Sequence, residues 1–180
     1  DRVFESGTSN DSKTYQNLKR EIKNKNIQNI LARKGMRLDI GGGAVIDVLF
    51  PDRDVSFWAS NDGSVVAKLT YGNTSVMLTG DATAQTEKII LSEYSKTALA
   101  SDILKVGHHG SRTSSSADFV KAVSPAYAIV SNGKDNKYGH PHQDTLDILT
   151  QLGAKVFRTD LLGSIIIKSN GEKEIFSFRK

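Results

Sequence analysis

The residues of this chain that could do chemistry fall in three short clusters. They are Thr79-Gly80-Asp81, Gly107-His108-His109-Gly110-Ser111 and Tyr138-Gly139-His140-Pro141-His142. All 4 histidines lie in the second and third clusters. A carboxylate and several imidazoles brought together suit a divalent metal or a phosphate. Asp81 follows a glycine that removes side-chain bulk, so its carboxylate can bind or bridge metal ions. The same position suits a helix cap, because a helix is expected from Thr83. His108 and His109 are adjacent, and on an extended backbone they point to opposite sides, so one of them would face a given cleft. Gly110, Ser111 and Thr113 add backbone and hydroxyl donors for an anion, and Arg112 adds a phosphate partner. A polar surface turn is the plainer alternative. His140 precedes Pro141, which suits a first helical position, and a neutral imidazole there can ligate a metal. A surface loop organised by Asn136 accounts for the same residues without chemistry.

Such residues need rigid supports. Each cluster follows a short apolar run and reads as the tip of a β-strand, the edge at which α/β folds place ligands. Val3-Phe4 reads as a strand remnant. Tyr15, Leu18 and Ile22 recur at helical spacing to about Asn24, behind N-cap candidates Thr8 to Asp11. Met36 to Ile40 and Ala44 to Phe50 read as a hairpin around Gly41-Gly42-Gly43. Those glycines lack the G-x-x-x-x-G-K-[ST] pattern and a following helix, so they are a turn and not a phosphate cradle. Ser64 to Thr70 and Ser75 to Leu78 are strands joined at Tyr71-Gly72-Asn73-Thr74. Helices over Thr83 to Tyr94, Ala117 to Val123 and His142 to Leu152 then alternate with strands over Ile103 to Val106, Tyr127 to Val130 and Val156-Phe157. Ser164 to Lys168 and Glu174 to Phe178 close the chain as a hairpin across Asn170-Gly171. This order predicts a mixed α/β fold, a sheet carrying helices.

With 180 residues, 38% of them hydrophobic and 24% charged, the chain has the make-up of one globular domain with a real core. It contains no run of about 18 apolar residues. Asp1 to Ser6 form no signal peptide and begin like the end of a strand, from which we expect a chain cut from something longer. Cysteine is absent, so a metal would have to use histidine and carboxylate ligands. The net charge of +4 permits a polyanionic partner without requiring one. Much of the excess lies between Lys13 and Lys34, either as a solvated helix face or as a nucleic-acid track.

The succession Leu78-Thr79-Gly80-Asp81, Asp102-Ile103-Leu104-Lys105-Val106-Gly107-His108-His109-Gly110-Ser111, Ala128-Ile129-Val130-Ser131-Asn132-Gly133 and Asn136-Lys137-Tyr138-Gly139-His140-Pro141 resembles the metallo-β-lactamase fold. Within that fold it is most similar to the hydrolase domain at the C-terminus of competence DNA-channel proteins. The resemblance is strong over roughly residues 60 to 168 and looser elsewhere. It implies an αββα sandwich of which this chain forms the C-terminal half. It implies that Asp81 bridges two metal ions, that His140 ligates the second, and that one of the pair His108 and His109 contacts a substrate phosphate or a metal. The implied cofactor is a divalent metal, two zinc or manganese ions in a complete domain. In such a site a bridging hydroxide attacks phosphorus or a carbonyl carbon. The implied partners are DNA or another phosphodiester, the N-terminal half of the same domain, and the membrane channel of a parent protein at the extracytoplasmic face of the cell envelope. Without that channel the expected location is the cytoplasm.

The family's principal metal motif, H-x-H-x-D-H, occurs nowhere in these residues. We therefore expect residues 1–180 to form a single, partial metallo-β-lactamase-like hydrolase domain that binds metal weakly or not at all and is inactive or nearly so alone. Two other functions fit the sequence. One is a non-catalytic module holding nucleic acid or a phosphorylated ligand on the basic helix and the His-Gly-Ser loop. The other is a hydrolase of the same fold acting on a phosphoester of a cell-wall polymer or lipid. In each case Asp81, a histidine of the pair and His140 should converge at one sheet edge. The sheet face away from the helices should expose apolar surface or be covered by another chain.

Overall fold

Alternating apolar residues commit the middle of the chain to one seven-stranded mixed sheet in a computed structural model that describes residues 1–179. Its strands, in spatial order, are β3 (Arg37–Gly41), β4 (Ala44–Phe50), β5 (Val66–Tyr71), β6 (Thr74–Leu78), β7 (Ile103–Lys105), β8 (Tyr127–Val130) and β9 (Lys155–Arg158). The first four run antiparallel as a meander, and β6 through β9 run parallel. Parallel neighbours need crossovers. These are α2 (Ala84–Glu93) with α3 (Lys96–Leu99), then α4 (Ala117–Val123), then α5 (Gln143–Gln151). The carboxyl ends of β6, β7 and β8 thus lie side by side, and the loops leaving them carry the three clusters.

The crossover helices share one face of the sheet. Ile90, Leu99, Phe119, Val120, Val123 and Leu149 from the helices form a common core with Leu49, Val66, Met77, Leu104, Val106, Ala128 and Val130 from the strands. The opposite face carries the terminal strands. There the terminal hairpin of β10 (Ser164–Ser169) and β11 (Glu174–Arg179) packs Phe176 against Tyr127 at 4.5 Å and against Phe157 at 5.2 Å between ring centroids. Asn73 anchors it by donating its N–H to the Gly171 carbonyl at 2.6 Å. A cavity of about 390 Å³ remains on that face, lined in part by Leu69, Tyr71, Val76, Ile103 and Ile167. The hairpin expected to close the chain therefore packs on part of this second face.

At the amino end β1 (Arg2–Glu5) pairs in parallel with β2 (Gln28–Leu31), joined through α1 (Lys13–Asn24), which Ser12 caps by accepting the Tyr15 N–H. Several cations of this region are engaged in holding the structure. Lys19 meets Glu5 at 2.6 Å, Lys34 meets Glu93 at 3.1 Å, and Arg33 donates to the Ser6 carbonyl at 2.7 Å. Among the described residues no helix is long and apolar enough to cross a membrane.

Beyond β9 the chain turns through α6 (Thr159–Leu162), where Arg158 grips Asp160 through two hydrogen bonds of 3.1 and 2.6 Å. The guanidinium holds the Asp160 carboxyl below its usual range. A depressed folded-state pKa stabilises above the unfolded value of 3.8 and is lost as pH falls through the folded one. Asp160→Asn is therefore expected to cost about 1 kcal/mol at neutral pH and little once the Asp160 carboxyl is protonated in the folded and unfolded states. Urea denaturation at pH 7 and at about pH 2 checks this; equal losses at both values would contradict it.

Candidate functional site

Three loops meet at the carboxyl edge of the parallel strands. The first leaves β6 with Gly80 and Asp81. Thr79 ties it to the next strand by donating to the Lys105 carbonyl at 2.7 Å, and the Ser64 hydroxyl accepts the Asp81 N–H at 3.3 Å. The second is the tight turn Gly107–Gly110 after β7. The third spans residues 131 to 142 after β8, so His140 sits ten positions beyond the strand end (140 − 130) and not at its tip. Asn136 replaces the strand as its support. Its Oδ1 accepts the Tyr138 and His140 N–H groups at 3.2 and 3.0 Å, while its Nδ2 donates to the His140 carbonyl at 2.6 Å. His142, not Pro141, is the N-cap of α5, so Pro141 stands one position outside the helix.

The His108-His109 backbone is not extended. Both residues have left-handed φ values, 44° and 56°, and their ring centroids lie 6.3 Å apart. The expectation that they point to opposite sides is corrected for this reason: a turn, and not a strand, carries them. Ser114 and Ser115 hold the turn from beneath. Ser114 donates to the Gly107 carbonyl at 2.8 Å, and the Ser115 hydroxyl accepts the Gly107 N–H at 3.3 Å. Both rings face the same edge. His109 Nε2 lies 3.6 Å from Asp81 Oδ1, and the His108 ring lies 5.6 Å from that of His140. His140 in turn stands edge-on to His142 at 4.9 Å. The three clusters are thus contiguous, with Asp81 at one end and His142 at the other.

Hydrogen bonds give the imidazoles different tasks. His109 Nδ1 faces the Ser131 carbonyl at 2.6 Å, so that nitrogen carries the proton and Nε2 is left free beside Asp81. His108 has both nitrogens occupied, Nε2 by the Asn61 amide at 3.4 Å and Nδ1 by the Thr113 hydroxyl at 3.3 Å. The Arg112 N–H donates to His142 Nδ1 at 3.1 Å. His140 is held below the ordinary imidazole value by burial first and then by the neighbouring His142, His108 and His109. It therefore favours its neutral form.

The anion-binding residues divide. Arg112 and Thr113 are exposed at the loop surface. Ser111 is buried, with its hydroxyl 3.0 Å from that of Thr113, and shapes the loop from within. That corrects the expectation that Ser111 faces a ligand: a buried hydroxyl engaged by its own turn presents nothing outward. Among the described residues no three histidine or carboxylate groups come together in a way that could hold a metal ion.

Four further residues contribute to the site without having been assigned a role in it from the sequence. Asn61 touches His108 from a turn that Thr86 pins by donating to the Asp62 carbonyl at 2.7 Å. Lys105 lies near Asp81 and donates to the Val106 carbonyl at 2.8 Å; burial lowers its pKa while Asp81 raises it, with a net lowering. Tyr138 stacks on His140 at 5.7 Å. Glu87 is 1% exposed and accepts the Ser115 and Ser116 N–H groups beneath the histidine turn. Helical spacing would have found Glu87, three residues before Ile90 on the inward stripe of α2. Asn61 belongs to the turn signal Asn61-Asp62-Gly63, but its contact with His108 depends on tertiary folding.

The sequence profile described as Metallo-beta-lactamase superfamily matches residues 37–134. The chain is 36% identical over 119 residues to ComE operon protein 3 of Bacillus subtilis, covering 66% of this chain and 15% of that protein. It is 39% identical over 105 residues to Competence protein ComA of Neisseria gonorrhoeae, covering 58% and 15%. Against Recombination protein 2 of Haemophilus influenzae it is 37% identical over 107 residues, covering 59% and 13%. The chain thus spans about a seventh of the length of these relatives. A solved structure of a presumed metal-dependent hydrolase from Parabacteroides distasonis superposes with a TM-score of 0.48 at 16% identity, covering 78% of this chain and 61% of that one.

Proposed function

This chain belongs to the metallo-beta-lactamase superfamily, and from that premise we propose that it supplies the aspartate-and-histidine side of a phosphodiester hydrolase site acting in DNA uptake. The observation that carries the reading is the contiguity of Asp81, His109, His108 and His140 at the carboxyl edge of the parallel strands. The relatives named for competence support the biological setting. A free Nε2 on His109, fixed by the bond to the Ser131 carbonyl, can take or give a proton at a substrate oxygen. Arg112 and Thr113 stand at the loop surface where a phosphate would be met. Asp81 and His140 are the positions offered to divalent metal, zinc or manganese, once the remaining ligands come from an H-x-H-x-D-H segment. No hydrolytic step is assigned to this chain by itself.

A second reading, a phosphate- or nucleic-acid-binding module without catalysis, draws on the exposed Arg112 and Thr113 of the His-Gly-Ser loop. One experiment separates the two. Calorimetric titration of the chain with zinc and manganese should give weak uptake and little hydrolysis of single-stranded DNA. Joined to an H-x-H-x-D-H segment it should gain both, and Asp81→Ala should then abolish both, because a bridging carboxylate orders the two ions. A joined protein that takes up no metal would end the enzyme reading in favour of the binding module. A joined protein that hydrolyses small phosphoesters but not DNA would point instead to a cell-wall or lipid phosphoester.

A further inference from the structure

The loop that carries His140 holds more than an imidazole. Tyr138 is 65% exposed, unusual for so large a ring, and one face of it rests on His140 at an interplanar angle of 24°. Behind it opens a cavity of about 300 Å³ whose walls include His109, Asn132, Asn136, Tyr138 and His140. The amide walls are fixed in advance, since Asn132 and Asn136 both donate to the His140 carbonyl, at 3.1 and 2.6 Å. The Lys137 ammonium lies 5.1 Å from the Tyr138 ring centre, and Lys134 is exposed on the same loop, so that two cations outweigh Asp135. His109, with its free Nε2 beside Asp81, borders the same cavity.

We propose that Tyr138 and this cavity form a base-stacking subsite that takes a nucleobase of single-stranded DNA and sets an adjoining phosphate before His109 and Asp81. The inference rests on the phosphodiester reading above and adds to it the recognition of the base. An exposed aromatic ring with a lysine against it and another on the same loop is the kind of arrangement that single-strand binding uses, because every base offers a π-face and every link a phosphate. A ligand that was only a phosphate would have no use for the ring. A protein segment would gain nothing from lysines placed beside a histidine and carboxylate edge. The incoming base displaces the Lys137 ammonium from the ring, and the ammonium then meets the backbone phosphate. Asn136 has its amide engaged within the loop, so stacking, and not hydrogen-bond readout, governs the site. Binding should be indifferent to base sequence.

The test is fluorescence anisotropy of the chain at low salt with a labelled oligothymidylate and with an abasic deoxyribose-phosphate strand of equal length. Tyr138→Ala should weaken thymidylate binding at least about fivefold, the low end of base–aromatic stacking. Tyr138→Phe should keep it, and neither should change binding of the abasic strand. Unchanged thymidylate binding by Tyr138→Ala, an equal loss for the abasic strand, or no binding of either strand by the unaltered chain would each overturn the subsite. The hydrolase reading fails separately. If the joined protein takes up no metal while thymidylate binding still depends on Tyr138, the subsite belongs to a binding module. If that protein is active and Tyr138→Ala makes no difference to strand binding, the subsite alone is removed.

Discussion

Glu87→Ala is expected to cost about 2–5 kcal/mol of folding stability and to loosen the histidine turn. Glu87 is 1% exposed, and its two oxygens accept the Ser115 N–H at 2.5 Å and the Ser116 N–H at 2.9 Å. Alanine would leave the buried Ser115 N–H without a partner, a penalty of roughly 1–3 kcal/mol, would strip the half-buried Ser116 N–H of its acceptor, and would empty the space of the side chain. The effect then travels a short, connected path. Ser115 and Ser114 grip the N–H and the carbonyl of Gly107, and Gly107 opens the turn that carries His108 and His109. A residue with no exposed atom to offer a substrate thus governs where the imidazoles stand.

The pH dependence gives this prediction a second readout. Burial raises the Glu87 carboxyl above its ordinary value of 4.5, outweighing the serine N–H groups that lower it. The folded protein therefore binds this proton more tightly than the unfolded chain does. The group's contribution is most favourable below 4.5 and declines as pH rises through the folded-state pKa. Urea denaturation across that range should show a falling component in the unaltered protein that Glu87→Ala lacks. A loss below about 0.5 kcal/mol, the scale of an ordinary surface change, would mean that the serine loop holds itself.

The alternation of strands and helices from β5 to β9 was legible in the sequence because each element buries one stripe and turn residues separate the stripes. The shorter elements were not. The β2 strand begins Gln28-Asn29 and exists through its parallel pairing with β1, a contact between residues some 26 positions apart (28 − 2). The helices α3 and α6 have four residues each, too few for any period to repeat. At the site the residue types were legible and the backbone was not. His108 and His109 follow a strand, so an extended path was the natural expectation. The turn is imposed instead by Gly107 and Gly110 and by serines that lie four to eight positions further on. Likewise the apolar run of β8 pointed toward the third cluster, yet Asn136 supports His140 from within the loop.

Gly110→Ala is expected to lower the thermal midpoint by about 5–15 °C, corresponding to about 2–4 kcal/mol, and to push the second and third site loops away from each other. Gly110 has φ +84°, a conformation that costs an alanine about 1 kcal/mol. The larger obstacle is Pro141. A Cβ built on Gly110 would lie 2.5 Å from Pro141 Cβ and 3.1 Å from Pro141 Cα, and neither belongs to a side chain that can swing away. The backbones would have to separate, and the bond from the His142 N–H to the Gly110 carbonyl, now 2.9 Å, lies directly across that seam. Separation also has a chemical signature. Burial, with His142, His108 and His109 close by, keeps the His140 pKa low. Moving the loops apart relieves each of these, so His140 in Gly110→Ala should titrate nearer its ordinary value of 6.5 when followed by NMR. A destabilised Gly110→Ala with an unmoved His140 would mean that the edge is held by Asn136 alone and that the seam between the loops contributes only to folding.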